Sequence, residues 1–444
     1  MSSYLPGQRP PKRSIPAFLI LTVAGLLSAV GLICTAALTR AAPDMKFGVI
    51  TVTTLADQFG TATGDCSLRE AIEAGNSNAD FGGCAGPGGN RNIELGAGIH
   101  VLTRVGGADD TNTLGDLDVT ASLTITGLGP GSTSIEAGAT MTDRFMDIRP
   151  GATVVISGVR LAGANLLGGG AGAAINVFGR LTLANCIIED NQASSVGGGI
   201  HVGTGGHLTL QNCLIRNNHS MSYGGGIFAS GSLTISDSTI SGNDADSFGG
   251  GLSVSNNGKL TLIRTTISEN QAPFSGGGIY VDIPNEATIV DSTIRGNSAP
   301  DSGGIALVRG SLLMVNSALI SNTATSAAGM RVTNTLATLV NSTVSGNVAQ
   351  AGAGGIAINT TSGRLYLYNT TIANNTTNAG ASGGNGGGLN IQSGSVVSMT
   401  NSVLANNIDL GASGDSSDCF GTIHLVAYNH VESTANCAIA GPAT

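Results

Sequence analysis

An eleven-residue phrase, LTLANCIIEDN at Leu181 to Asn191, recurs through the chain. It returns as LTLQNCLIRNN, LTISDSTISGN, LTLIRTTISEN, ATIVDSTIRGN, LLMVNSALISN, ATLVNSTVSGN, LYLYNTTIANN and VSMTNSVLANN, with starts 27, 25, 27, 27, 25, 25, 28 and 32 residues apart. Such a period is the mark of a solenoid, in which each repeat buries its apolar face only against its neighbours.

Places one, three and eight of the phrase are nearly always aliphatic, and their alternation is the period of a β-strand. Stacked coil on coil, they form the ladders of a core. Place eleven is Asn in all nine copies: Asn191, Asn218, Asn243, Asn270, Asn297, Asn322, Asn347, Asn375 and Asn407. An amide both donates and accepts, so a stack of them can bond along the rod at roughly 1 kcal/mol net per bond. Most repeats also carry a glycine cluster before an aliphatic, as at Gly197 to Ile200 and Gly224 to Ile227. Glycine clusters make turns and poor helices, which argues against leucine-rich repeats of similar period.

At 444 residues the chain is long enough for two or three domains, but the repetition predicts one elongated unit over residues 93–410. With 41% apolar residues it can bury a core, and a net charge of −9 offers nothing to nucleic acid. Regular coils from Val119 onward amount to on the order of eleven turns, a rod of roughly 50 Å at one strand spacing per coil.

Arg9, Lys12 and Arg13 precede an apolar run from Ile15 to Leu38. Residues 1–42 therefore read as a signal peptide or an N-terminal membrane anchor, with the small residues Thr35 to Ala37 suited to cleavage. If uncleaved, this segment is the chain's contact with a membrane. Cys34 could suggest a lipoprotein, although Ile33 is large for the place before a lipidated cysteine. Export permits disulfides, and Cys66 with Cys84, and Cys419 with Cys437, each close a loop of similar length, for which chain entropy gives roughly 3 kcal/mol. Cys186 and Cys213 share place six of adjacent copies, where two stacked thiols are the simpler reading than a bridge.

Between the apolar run and the repeats, residues 43–92 hold a strand-like Val49 to Thr53 and a capping box, Ser67 with Glu70. A short amphipathic helix follows, with Gly75 placed to end it. Such an element suits a cap over the first coil. The phrase DCSLREAIEAGN resembles the CSLREA motif, which names an N-terminal domain of exported bacterial proteins generally followed by a right-handed parallel β-helix. The Gly-Gly-Gly-Ile and Asn-ended repeats are similar to those of polymorphic outer-membrane proteins. SSDCFGTIHLVAYNHVESTANC resembles the beginning of a choice-of-anchor Q domain, and residues 411–444 read as a disulfide-held C-terminal cap. These resemblances imply an all-β, right-handed parallel β-helix with a short N-terminal capping helix, at the surface of a bacterium or secreted from it. They bring no reaction with them.

Acid and base catalysis on polysaccharides needs clustered carboxylates and a cation near the substrate. Place five carries Asp237, Arg264 and Asp291 on three consecutive coils, a carboxylate, guanidinium, carboxylate stack in a row otherwise filled by Asn. Charge pairing is the simpler reading, as it is for Glu189 above Arg216. His201 and His207 lack a third zinc ligand, and Asp109-Asp110 lies in a polar loop. No cofactor or metal is called for, and no catalytic residue is assigned. The expectation is an exported structural or adhesive rod with an extracellular protein or glycan as partner. The alternatives are a polysaccharide lyase or glycoside hydrolase working on one face, or glycan binding without catalysis.

Overall fold

A computed structural model describes residues 48–60, 64–89, 91–106, 111–166, 168–378, 386–411 and 418–441. The apolar run with Cys34, and Asp109-Asp110, lie outside them. Among the described residues no helix is long and apolar enough to cross a membrane.

The repeat folds as a parallel β-solenoid of about 11 turns. In one coil, strand Ile200–Val202 is followed by His207–Gln211, then by Leu214–Arg216, then by the short His219–Ser220. Each pairs in parallel with its counterpart one repeat on: Ile200 with Ile227, Leu208 with Leu233, Ile215 with Ile240, His219 with Asp244. The first two columns belong to one broad sheet of 24 strands, and the third forms a sheet of 13. Strands Ile279–Val290 and Ile305–Val315 run through both columns of the broad sheet without a break.

Two residues per coil turn the corners, and both are left-handed. Place five has φ between 47° and 54° at Asn185, Asn212, Asp237, Arg264, Asp291, Asn316, Asn341, Asn369 and Asn401. Place ten does the same at Asp190, Asn217, Gly242, Glu269, Gly296, Ser321, Gly346, Asn374 and Asn406. Asn, Asp and Gly tolerate this region best, which accounts for the composition of both rows. Glycine is needed for a second reason at the cluster Gly224 to Gly226. Gly224 has φ +68°, and a Cβ on Gly225 would run into the backbone oxygens of Asp244 and Gly250 on the next coil.

Places one, three and eight point inward and are buried in every copy, in one core continuous along the rod. At the corner after the third strand, each place-eleven Asn uses all of its hydrogen-bonding capacity. Asn270 donates its backbone N–H (3.0 Å) and Nδ2 (2.9 Å) to Oδ1 of Asn297, and Nδ2 again to the carbonyl of Ile240 (3.1 Å). The ladder runs from Asn191 to Asn407, whose two donors meet Oδ1 of Asp418 at 3.0 and 2.9 Å. A terminal rung has only to accept, so a carboxylate serves there, and its other oxygen takes the N–H of Ser433 at 2.9 Å. Place six forms a second buried row: Thr265 N–H donates to Ser292 Oγ and Ser292 N–H to Ser317 Oγ, both at 3.0 Å. In that row Cys186 and Cys213 are free buried thiols that donate to backbone carbonyls as the serines do.

The N-terminal cap is helix Leu68–Ser77 with its capping box formed by Ser67 and Glu70, and Cys66 is bonded to Cys84. The helix does not stop at Gly75. It continues to Ser77 and ends on Asn78, because Asn78 and not Gly75 takes the left-handed conformation (φ 55°), its N–H closing on the carbonyl of Ala74. Arg69 is wholly buried. It pairs with Asp57 (2.6 Å) and donates to the carbonyls of Asn112, Gly115 and Asp116 at 3.2, 2.8 and 3.0 Å, tying helix to first coils. At the far end Cys419 is bonded to Cys437.

Candidate functional site

The place-five charges sit at an exposed corner. Arg264 forks onto Asp237, Nε to Oδ1 at 2.6 Å and Nη2 to Oδ2 at 2.7 Å, while Asp291 accepts from Asn316 Nδ2 at 3.1 Å. The hydrogen bonds from Arg264 hold the Asp237 carboxyl below its ordinary range. Glu189 lies between two cations, Arg160 and Arg216, and Arg160 reaches on to Glu136 at 2.6 Å. Burial alone would raise the Glu189 carboxyl, but the hydrogen bonds of the two arginines bring it down. Asp237 with Arg264, and Glu189 with Arg160 and Arg216, are closed ion pairs along the rod. His201 and His207 stand on different strands, and His201 turns its Nδ1 to Asn176 Oδ1 at 2.6 Å.

A different row gathers chemistry. The middle residue of the first strand in each coil points away from the core, and register stacks Asp118, Asp147, Asn176, His201, Phe228, Ser253, Tyr280, Ala306, Arg331 and Ala357 in one column, of which His201, Tyr280 and Arg331 are partly exposed and the rest are covered. Beside it stand the residues before the glycine clusters, with Tyr223 bridged to Phe248 and Phe248 to Ser275. Together these two columns build an aromatic run. Phe178 meets His201 edge-on at 6.0 Å between centroids, and His201 stacks on Phe228 at 5.7 Å. Tyr223 stacks on Phe248 at 5.3 Å, and Phe248 packs against Phe274 at 5.5 Å and Tyr280 at 4.9 Å. The chain has ten Phe, six Tyr and no Trp, so six of its sixteen aromatics lie in this one run. Phe178 and Phe274 are exposed.

At the C-terminal end of the run, Phe248, Ser275, Tyr280, Asp301, Ala306 and Arg331 line a shallow cleft of about 190 Å³. Arg331 is ion-paired with Asp301, which also accepts from Ser275 Oγ at 2.7 Å. At the N-terminal end the column is acidic and buried. Arg144 pairs with Asp147 (2.8 Å) and lies 3.9 Å from Asp116, and Arg149 pairs with Asp118 at 2.8 Å. Burial, then the carboxylates of Asp143, Asp147 and Asp118, push Asp116 up to about 8. Burial, followed by the charge of Arg144, lowers His201 to about 4, so its ring is neutral at pH 7. With Nδ1–H donated to Asn176, that neutral ring presents Nε2 as an acceptor.

Among the described residues, His219, Asp244 and Asp246 are the one group whose ligand atoms all fall within 4.8 Å of one another. His219 already bonds Asp244 at 3.0 Å, at an exposed corner outside the cleft.

The column has a faint signature in the sequence. The residue after the aliphatic that follows each glycine cluster reads His, Phe, Ser, Tyr, Ala, Arg, Ala, Asn, one of the varied places of the repeat. Place five drew notice because its charges interrupt a uniform row, whereas this place has no uniform row to interrupt.

The fold defines a class, the right-handed parallel β-helix. A family model described as a right handed beta helix region matches residues 148–317. No curated protein matches the chain. Among solved structures, the A-module of the Azotobacter vinelandii mannuronan C-5 epimerase AlgE6 is similar, with 15% identity and a TM-score of 0.44 over 87% of this chain and 100% of that one. The AlgE4 A-module of the same organism has 15% identity and a TM-score of 0.37, covering 87% of this chain and 98% of its own. A mannuronic acid specific family 6 polysaccharide lyase from human gut microbiota has 12% identity and a TM-score of 0.31, over 69% of this chain and 80% of that one. These likenesses are of fold alone.

Proposed function

We propose that this protein is a glycan-binding β-solenoid that works outside the cell as an adhesive or surface rod, with the aromatic column of the broad sheet as its binding face. The observation that carries the reading is the aromatic run from Phe178 to Tyr280, ending at the Arg331–Asp301 pair. Sugar rings have an apolar face that stacks on aromatics and a rim of hydroxyls that needs paired donors and acceptors. Partly exposed aromatics beside a few convergent polar groups are the usual make-up of such a site. Two disulfides favour an oxidising compartment and hence export.

A polysaccharide lyase or glycoside hydrolase is the second reading, favoured by one specific feature: burial raises Asp116 to about 8 and lowers His201 to about 4, an inverted pair of the kind that acid and base roles use. A panel of neutral and acidic polysaccharides incubated with the purified protein tests both. Retention on a glycan that is lost in Phe248→Ala and Tyr280→Ala, with no new reducing ends or unsaturated products, supports binding. Products that vanish in His201→Ala would establish the enzyme instead, and no retention on any glycan would refute the proposal.

A further inference from the structure

The short fourth strand of each coil begins on a polar outer residue. In register this place reads Gln192, His219, Asp244, Gln271, Ser298 and Thr323, so only the coils of His219 and Asp244 put an ionisable group there. His219 opens strand His219–Ser220 and pairs directly with Asp244 of strand Asp244–Ala245. Ala245 turns inward and is buried, which returns Asp246 to the outer side beside Asp244.

Three ligand atoms, one from each of these residues, lie within 4.8 Å of one another. The ring of His219 is flanked on both edges, with Nδ1 3.0 Å from Asp244 Oδ2 and Nε2 3.8 Å from Asp246 Oδ1. A metal ion bound to nitrogen and oxygen at about 2.0–2.2 Å holds adjacent ligand atoms roughly 3–4 Å apart. Small side-chain rotations therefore bring the three donors onto one ion with no movement of the coils. The side chains of His219, Asp244 and Asp246 are 30%, 52% and 56% exposed, so an ion reaches them directly from solvent. Charge balance sets this corner apart from the rest of the rod. Asp237, Asp282 and Asp301 are each held by an arginine, whereas among the described residues neither Asp244 nor Asp246 pairs with an arginine or a lysine. Two carboxylates share a single imidazole, and a divalent cation would supply the charge that arginine supplies elsewhere. One nitrogen with two oxygens suits a borderline ion such as Zn²⁺, while Ca²⁺ and Mg²⁺ prefer oxygen alone.

We propose that His219, Asp244 and Asp246 form a divalent transition-metal site that clasps two successive coils, with its remaining coordination positions open to water. The site stands outside the aromatic column and does not depend on glycan binding. Titration calorimetry of the untagged full chain with zinc chloride and calcium chloride tests this. One Zn²⁺ should bind per chain, roughly tenfold or more tighter than Ca²⁺. His219→Ala and Asp246→Asn, with thermal unfolding of the metal-free protein unchanged, should each weaken Zn²⁺ binding roughly tenfold or more. His207→Ala, on another strand, should bind Zn²⁺ as wild type does. No uptake of Zn²⁺, Ca²⁺ held as tightly as Zn²⁺, full binding retained in both cluster variants, or an equal loss in His207→Ala would overturn the assignment.

Discussion

At the residue scale, conformation and chemistry share the same rows. Asn fills place five because its backbone is left-handed there, and Arg264 holds that conformation at φ 47° while pairing with Asp237. Both partners are about half exposed, at 46% and 48%, so the pair adds little stability to set against the backbone cost. Asp116 is a sharper case. Its folded pKa of about 8 stands above the ordinary 3.8, so the folded chain keeps a proton that the unfolded chain releases. Its contribution to stability is therefore present at low pH and is lost as pH rises through that window. Measured by denaturant unfolding, wild type should lose stability relative to Asp116→Asn between about pH 4 and about pH 8. A pH-independent difference would contradict the burial argument. None of this was legible in the sequence, because the carboxylates around Asp116 come from separate coils and Asp116 stands apart from the phrase.

At the element scale, much was legible. The aliphatic places of the phrase and its invariant Asn report packing that every coil needs, and repetition displays such needs nine times over. The helix after Ser67 could be read from its capping box, but its end could not, since the left-handed residue that closes the helix is Asn78 and not Gly75. The column proposed for binding stayed hidden for the opposite reason: its residues vary from coil to coil, and periodicity reveals only what does not vary. The ladder can be tested on its own. Asn270→Ala deletes Nδ2, the side-chain donor to Asn297 and Ile240, and leaves the backbone N–H and Nδ2 of Asn243 without their shared acceptor. At about 1–3 kcal/mol for each buried group left unpaired, the loss should reach several kcal/mol, read by denaturant unfolding. Asn257→Ala, in an exposed turn, should stay within about 0.5 kcal/mol. Equal effects would count against the ladder.

At the scale of the whole molecule, the solenoid converts a chain of short strands into a straight register of side chains one strand spacing apart. Ion pairs tie Asp237 to Arg264 and Glu189 to Arg160 and Arg216 along the rod, amides close the inner corner, and the outer column of the broad sheet carries aromatics, His201 and Arg331. The account turns on whether the aromatic run on that column is a glycan-binding face. The most direct measurement is retention of the purified wild-type protein, beside Phe248→Ala and Tyr280→Ala, on a panel of neutral and acidic polysaccharides. Wild type should be retained on at least one glycan, and both variants should lose that retention while keeping their thermal unfolding. Retention unchanged in both variants, or retention on no glycan, would contradict it.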